Sequence, residues 1–142
     1  MALLKRREDK VDVIGDVALF AGLSKKELGE IANIVKEVEF LPRDYLAYEG
    51  ETGREAMIVI AGKATVRRGG RKIAEVSTGS VVGEMSLLTD LPRNATVRAD
   101  TFVSALVMNA TQFSRLVDEH PQVGVKILRT VARRLAAATR IH

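Results

Sequence analysis

The sequence has no cysteine, no tryptophan, only two histidines, and 4% aromatic residues. Without cysteine neither a disulfide framework nor a thiolate metal site can form, and two histidines are too few for a multi-histidine metal cluster. The longest apolar run, residues 56–61, is far shorter than the roughly 18 residues a membrane span needs. The N-terminal segment lacks the apolar stretch of a signal peptide. We therefore expect a cytoplasmic protein with no membrane contact.

What the chain does contain is enough Val, Ile, Leu and Ala for one core, since 46% of its 142 residues are hydrophobic. We expect a single domain over residues 1–142. The net charge of +4 is uneven: residues 1–10 sum to +2, residues 121–142 to +5, and the body between them to −3. This distribution does not support nucleic-acid binding by the body, so no direct DNA binding is expected, and it indicates a basic C-terminal helix.

Two short helices are predicted within residues 8–35. Residues 8–20 show a loose helical spacing of apolar residues that a glycine interrupts. A second helix, about residues 24–35, begins with Ser24 and Glu27 at the spacing of a capping box, in which each side chain bonds the other residue's backbone N–H.

Between residues 36 and 108 the pattern changes to short β-type runs separated by turn residues. Gly69-Gly70 between two such runs indicates a tight hairpin. About eight strands with no helix between them predict an α+β, mainly β fold: an eight-stranded jelly-roll β-barrel, flanked by the N-terminal helices and by two C-terminal helices. The clearest runs are residues 38–41, 45–48, 56–61, 64–66, 73–76, 97–99 and 103–108.

The two C-terminal helices are predicted over residues 110–140. Asn109, three residues before a glutamine, is suited to cap the first, and Pro121 ends that helix and suits the first turn of the next. The second helix, residues 122–140, is basic. Its predicted apolar stripe consists of Ile127, Leu128, Val131 and Leu135.

One segment departs from the strand pattern and supplies the groups that an enclosed anion needs. Gly83 opens a short helical turn whose first amides, those of residues 84–86, lack intrahelical partners and converge on anions. Ten residues after Gly83 comes Arg93, a guanidinium fork, and Glu84 is a carboxylate able to accept from hydroxyl groups. On spacing alone, a surface loop or an internal salt bridge explains these residues equally well.

The full ordered string favours an anion site over those two interpretations. Gly83-Glu84-Met85-Ser86, followed after a variable loop by Pro92-Arg93-Asn94-Ala95-Thr96-Val97, resembles the phosphate-binding cassette, here residues 83–96, of the cyclic-nucleotide-binding domain family. That family includes bacterial catabolite activator proteins, regulatory subunits of cAMP-dependent protein kinase and cyclic-nucleotide-gated channels. Turn glycines and the segment 19–24 also match in order, so the resemblance covers about residues 17–139.

The resemblance implies a role for each matched residue. Arg93 pairs with an exocyclic oxygen of the cyclic phosphate, and Glu84 accepts from the ribose 2′-hydroxyl. Backbone amides of the cassette hold the remaining phosphate oxygens, and Val66 and Ile73 form an apolar wall against ribose and base. Thr139 lies near where the last helix of the family touches the base. The implied ligand-binding set is Gly83, Glu84, Met85, Ser86, Arg93, Asn94, Ala95, Thr96, Val66, Ile73 and Thr139.

Asn94 departs from the family pattern, which has Ala or Ser after the arginine, or Thr where cGMP is preferred. The resemblance implies cAMP as the ligand, with cGMP as the alternative, and no cofactor. In the family the last helix packs across a dimer axis or covers the base. The residues of helix 122–140 favour a solvated basic face on an amphipathic helix, and the alternative that the resemblance implies is contact with a second copy of the chain or with another protein.

Three functions follow, of which the first is favoured. It is a cyclic nucleotide receptor that is not an enzyme and that moves its C-terminal helices when the ligand binds. The second is a degenerate module that keeps the fold for dimerisation or as a scaffold, against which the retained Glu84 and Arg93 argue. The third, an enzyme of the similarly shaped cupin type, needs histidines inside the barrel, and His120 and His142 lie outside the predicted strands.

Overall fold

Helices flank a set of eight strands in the computed structural model, which describes residues 6–139. Helices α1 (Arg7–Gly15) and α2 (Lys25–Ala32) precede the strands, and α3 (Ala110–Glu119) and α4 (Pro121–Ala138) follow them. The strands are β1 (Val35–Phe40), β2 (Tyr45–Ala47), β3 (Glu55–Ala61), β4 (Ala64–Arg68), β5 (Arg71–Val76), β6 (Val81–Val82), β7 (Thr96–Ala99) and β8 (Val103–Asn109).

The strands form two antiparallel sheets of four, in the orders β1-β8-β3-β6 and β2-β7-β4-β5. Alternate residues of each strand face inward, so the two inner faces bury a shared core that includes Val59, Val97 and Val103. The predicted fold class, a jelly roll with helices before and after it, is confirmed.

A second core cluster joins all four helices to the outer face of the first sheet. Ile14 and Ile31 from the N-terminal helices, Phe113 from α3 and Ile127 from α4 are buried there together. Leu87, from the loop between β6 and β7, belongs to the same cluster. The helices therefore pack as one layer that is connected to that loop.

Several predicted turns and caps are confirmed. Gly69 and Gly70 form the β4–β5 hairpin with φ angles of 58° and 79°, the left-handed values that a primed turn requires. Asn109 Oδ1 accepts from the amides of residues 111 and 112 at the start of α3, and Pro121 begins α4. Both halves of the capping box at Ser24 are present.

The N-terminal elements are shorter than the sequence predicts. The helix predicted over residues 8–20 is α1 followed by a separate 3₁₀ turn, Ala18–Phe20, because the chain bends after the glycine at the end of α1. Helix α2 ends at Ala32 rather than at residue 35, and Val35 already belongs to β1. Ile-Val at residues 34–35 favours extended backbone, since β-branched side chains fit a pleated strand.

The predicted apolar stripe on α4 is only partly buried. Ile127 is buried and Val131 is half-buried, whereas Leu128 and Leu135 remain 66% and 61% exposed. No helix within residues 6–139 is both long enough and apolar enough to cross a membrane.

Glu27 is the one buried carboxylate among the described residues, and it links α2 to α4. Its Oε1 accepts from the Ser24 amide at 2.8 Å and from Lys126 Nζ of α4 at 2.7 Å. The bond from Lys126, followed by the one from Ser24, holds the pKa of Glu27 below its ordinary value of 4.5. The ionised carboxylate therefore stabilises the packing of the two helices.

We expect Glu27→Gln, which can keep the cap but loses the charge, to lower the free energy of unfolding at pH 7 by about 1 kcal/mol. Because the folded-state pKa is lowered, this contribution is present above pH 4.5 and is lost as the pH falls through the folded-state pKa. Urea unfolding at a series of pH values measures it. Glu75→Gln, at an exposed ion pair, is the control with little effect. A deficit independent of pH would contradict the assignment.

Candidate functional site

A cavity of about 380 Å³ opens between the inner face of the second sheet, β6 and the segment that follows β6. One wall is apolar and comes from both sheets. The opposite wall consists of the segment between β6 and β7, which contributes backbone, a carboxylate, a hydroxyl and a guanidinium. The apolar wall is formed by Ala47, Val66, Val76, Val82 and Val97.

Arg93 lies in the wall of this cavity with its guanidinium half-buried. Its Nη2 donates to the Glu55 carbonyl oxygen at 2.8 Å, which anchors the side chain to the start of β3. Its Nη1 is fully buried and has no hydrogen-bond partner among the described residues. Burial lowers the pKa of Arg93 from its ordinary value. A buried cationic donor without an acceptor is suited to an anionic ligand.

Two glycines make room for the Arg93 side chain. A Cβ on Gly83 would overlap Nη1 of Arg93, and a Cβ on Gly53 would overlap its Nε. Gly83 also has a φ of 73°, a left-handed conformation that L side chains rarely adopt. The guanidinium therefore crosses the bare backbone at both glycines, and a side chain introduced at either position would displace it.

Gly83 begins the predicted turn, a 3₁₀ segment over Glu84–Leu87 that we call the cassette turn. The expectation of three free amides is wrong for Ser86, whose amide donates to the Gly83 carbonyl at 2.9 Å because the turn is a tight 3₁₀ one. Among residues 6–139, the amides of Glu84 and Met85 donate to no other backbone group. The Ser86 side chain is buried in the cavity wall.

The Glu84 carboxylate lies in the cavity wall and also contacts α4. Its Oε1 is 3.8 Å from Nη2 of Arg134, and the Glu84 side chain is 31% exposed. The Glu84 carboxylate thus lines the cavity and also contacts the C-terminal helix. Within residues 6–139, no group of three or more carboxylate or histidine side chains is placed to hold a metal ion.

The structure brings most of the predicted site residues together around this one cavity. Eight of the eleven line it: Val66, Gly83, Glu84, Met85, Ser86, Arg93, Asn94 and Ala95.

Three of the predicted site residues lie elsewhere. The Thr96 side chain lies outside the cavity, where its hydroxyl oxygen accepts from the Glu49 amide at 2.9 Å, and the expected role of its backbone amide stays a prediction. Ile73 falls at a register shift of β5 and is 47% exposed. Thr139 follows α4, with its hydroxyl bonded to the Leu135 carbonyl.

The sequence analysis missed two parts of the site. Gly53 and the Glu55 carbonyl hold Arg93 from a segment 38 to 40 positions earlier, and nothing in the local sequence marks that contact. Val76 and Val82, also missed, follow from strand alternation once the register of the sheets is known.

Comparison with known proteins agrees with this geometry. The family model described as "Cyclic nucleotide-binding domain" matches residues 37–120. The chain is 32% identical over 130 residues to the human protein "Cyclic nucleotide-gated channel beta-1", covering 87% of this chain and 10% of that protein. It is also 32% identical over 107 residues to "cAMP-dependent protein kinase regulatory subunit" of Debaryomyces hansenii, covering 75% and 24%. It thus spans about a tenth to a quarter of these relatives.

Solved structures agree as well. The N-terminal domain of a transcriptional regulator from Streptomyces coelicolor A3(2) superposes with a TM-score of 0.82 at 31% identity, covering 89% of this chain and 92% of that one. A cyclic nucleotide-binding domain from Methylobacillus flagellatus superposes with a TM-score of 0.76 at 24% identity, covering 94% and 78%, and supports the fold. The chain belongs to the cyclic nucleotide-binding domain family.

Proposed function

We propose that this domain is a receptor for cAMP and that ligand binding shifts its C-terminal helices, which signal to a protein partner. The observation that carries the proposal is Arg93, whose buried Nη1 has no acceptor among the described residues. A scaffold gains nothing from a buried guanidinium nitrogen without an acceptor, since leaving a buried donor unpaired is destabilising. An exocyclic phosphate oxygen would supply the acceptor.

The rest of the cavity is suited to the other parts of a cyclic nucleotide. Its volume of about 380 Å³ lies in the range of small-molecule sites. Glu84 is proposed to accept from the ribose 2′-hydroxyl, and the free amides of Glu84 and Met85 to donate to the phosphate. The wall that includes Val66 would cover the ribose and base. Asn94, at the cavity rim, is the residue placed to contribute to base preference, with cGMP as the alternative ligand.

Two contacts connect the cassette turn to the helices and support a signalling role. Leu87, at the end of the turn, is buried in the cluster that contains Phe113 of α3 and Ile127 of α4. Glu84 contacts Arg134 of α4 and would be shared between that arginine and the ribose. A ligand that moves the turn would therefore act on α3 and α4, to the extent that it binds the two arrangements differently.

The alternative function, a dimerisation or scaffold module, is favoured by one observation. Leu128 and Leu135 are exposed on α4, as expected of a surface that a second copy or another protein covers. We propose this helix as the output surface of the receptor, so that it contacts a partner in either case. The two functions differ only in whether the cavity binds a nucleotide.

Arg93→Ala is the sharpest test of the site. We expect it to weaken cAMP binding about 10- to 150-fold, because it removes a charge-assisted contact of about 1.5–3 kcal/mol. Calorimetric titration measures the change. Arg129→Ala, an exposed arginine on α4, is the matched control with unchanged affinity. If Arg93→Ala folds and binds cAMP as tightly as the parent chain, the assigned site is wrong.

Coupling to the helices is tested by hydrogen exchange. Saturating cAMP is expected to change the exchange rates of amides in α4 as well as those of residues 83–96. Arg134→Gln, which removes the contact with Glu84, is expected to reduce the change in α4 while cAMP still binds. Protection confined to residues 83–96 in the parent chain would show that binding is not transmitted to α4.

A further inference from the structure

The two sheets carry opposite charge, a feature that the cavity does not explain. The strands of the first sheet hold one basic and three acidic residues, whereas those of the second hold five basic and one acidic. The first set is Lys36, Glu37, Glu39 and Glu55, and the second is Arg67, Arg68, Arg71, Lys72, Arg98 and Glu75. Folding thus collects basic residues in the second sheet, although the segment that contains both sheets has a net negative charge.

Most of this positive charge lacks a carboxylate partner. Lys72 pairs with Glu75 at 2.6 Å. The four arginines of the second sheet form no ion pair within residues 6–139. Strand alternation directs Val66 and Val97 into the core and therefore Arg67 and Arg98 to the outer face. Arg67 and Arg98 thus lie on the side of the sheet opposite the cavity, whereas Arg68 and Arg71 pair at the next position of the alternation and Arg68 Nε donates to the Asn94 carbonyl at 2.9 Å.

Both tyrosines of the chain lie beside these arginines. Tyr45 and Tyr48 are 41% and 47% exposed, and their rings stack with centroids 4.6 Å apart. The Arg98 guanidinium lies 5.3 Å from the centre of the Tyr45 ring. Exposed stacked aromatic rings beside cations suit a ligand that has both flat rings and negative charge.

The backbone holds this arrangement in place. Arg43 adopts a left-handed φ of 77°, unusual for a residue other than glycine, and its carbonyl accepts from Arg98 Nε at 3.2 Å. A concavity of about 280 Å³ lies between the side chains of Tyr45, Arg67 and Arg98. Glu49 borders it, but its carboxylate accepts from the Gly69 amide at 2.9 Å and so belongs to the hairpin.

We propose that this outer face, defined by Tyr45, Tyr48, Arg67 and Arg98 and called the Tyr–Arg face, binds single-stranded nucleic acid. Phosphates would pair with the arginines and bases would stack on the tyrosines. Four strands spaced about 4.8 Å apart make a face about 14 Å wide, enough for a few nucleotides. An acidic peptide would use the arginines but gives the stacked tyrosines no role.

The test is fluorescence anisotropy of a labelled 12-mer of uridine with the full chain at 50 mM salt. We expect a Kd between about 1 and 100 µM that weakens with salt, with a logarithmic slope of about −0.7 per phosphate contacted. Arg67→Gln combined with Arg98→Gln is expected to weaken binding at least tenfold and to reduce that slope. Arg133→Gln, an exposed arginine of α4, is the control with unchanged binding.

The tyrosines separate base stacking from charge alone. Tyr45→Leu with Tyr48→Leu is expected to weaken binding at least fivefold, whereas the matched pair Tyr45→Phe with Tyr48→Phe keeps the rings and binds like the parent chain. Circular dichroism verifies that each variant is folded.

Three results would overturn the proposal. The first is no binding of the 12-mer at millimolar protein. The second is displacement of the 12-mer by 1 mM cAMP, which would place the 12-mer in the cavity. The third is equal competition by a 12-residue polyglutamate peptide, together with unchanged binding of the 12-mer by the leucine variants. The last result would identify the face as a site for acidic peptides.

Discussion

The architecture of the site depends on one arrangement, the passage of the Arg93 side chain across the bare backbone of Gly53 and Gly83 to the Glu55 carbonyl. It joins three separate parts of the chain: the entry to β3, the turn after β6 and the segment before β7. Because the bond to Glu55 uses only Nη2, the second guanidinium nitrogen is buried without a partner among the described residues. The fold thus holds a half-buried guanidinium in the wall of a cavity, with one nitrogen buried, and the apolar wall and the cassette turn are arranged around it.

The same segment connects the cavity to the helices. Gly83 fixes the start of the cassette turn, and Leu87 at its end is buried against α3 and α4. A displacement of the backbone at Gly83, beside Arg93, therefore reaches the helical core at Leu87, four residues later. Close-packed interiors transmit such shifts, since they have little free volume to absorb them. In the proposed receptor, the cavity and the helices that carry the output are thus separated by a segment of four residues, Glu84–Leu87.

The sequence predicted the turns, the helix caps and the fold class, which depend on residues close together in the chain. The helical turn that begins at Gly83, the Gly69-Gly70 hairpin, the caps at Ser24 and Asn109 and the jelly-roll class all follow from residue type and spacing. It did not predict contacts between distant segments, such as that of Gly53 with Arg93. The resemblance to the family did not indicate the register shift in β5 at Ile73, which leaves that side chain 47% exposed. The two-residue strand β6 is too short to produce any periodic signal.

The second sheet has two faces with different chemistry. The inner face is an apolar wall against the cavity, and the outer face carries Arg67 and Arg98. The central claim concerns the inner face. Calorimetric titration of nucleotide-free protein with cAMP and, in parallel, with 5′-AMP tests it most directly. The account predicts micromolar or tighter binding of cAMP, about −8 kcal/mol or stronger, and none of 5′-AMP, whose open phosphate lacks the cyclic geometry. Absence of heat with cAMP from folded protein, or equal affinity for both nucleotides, would contradict it.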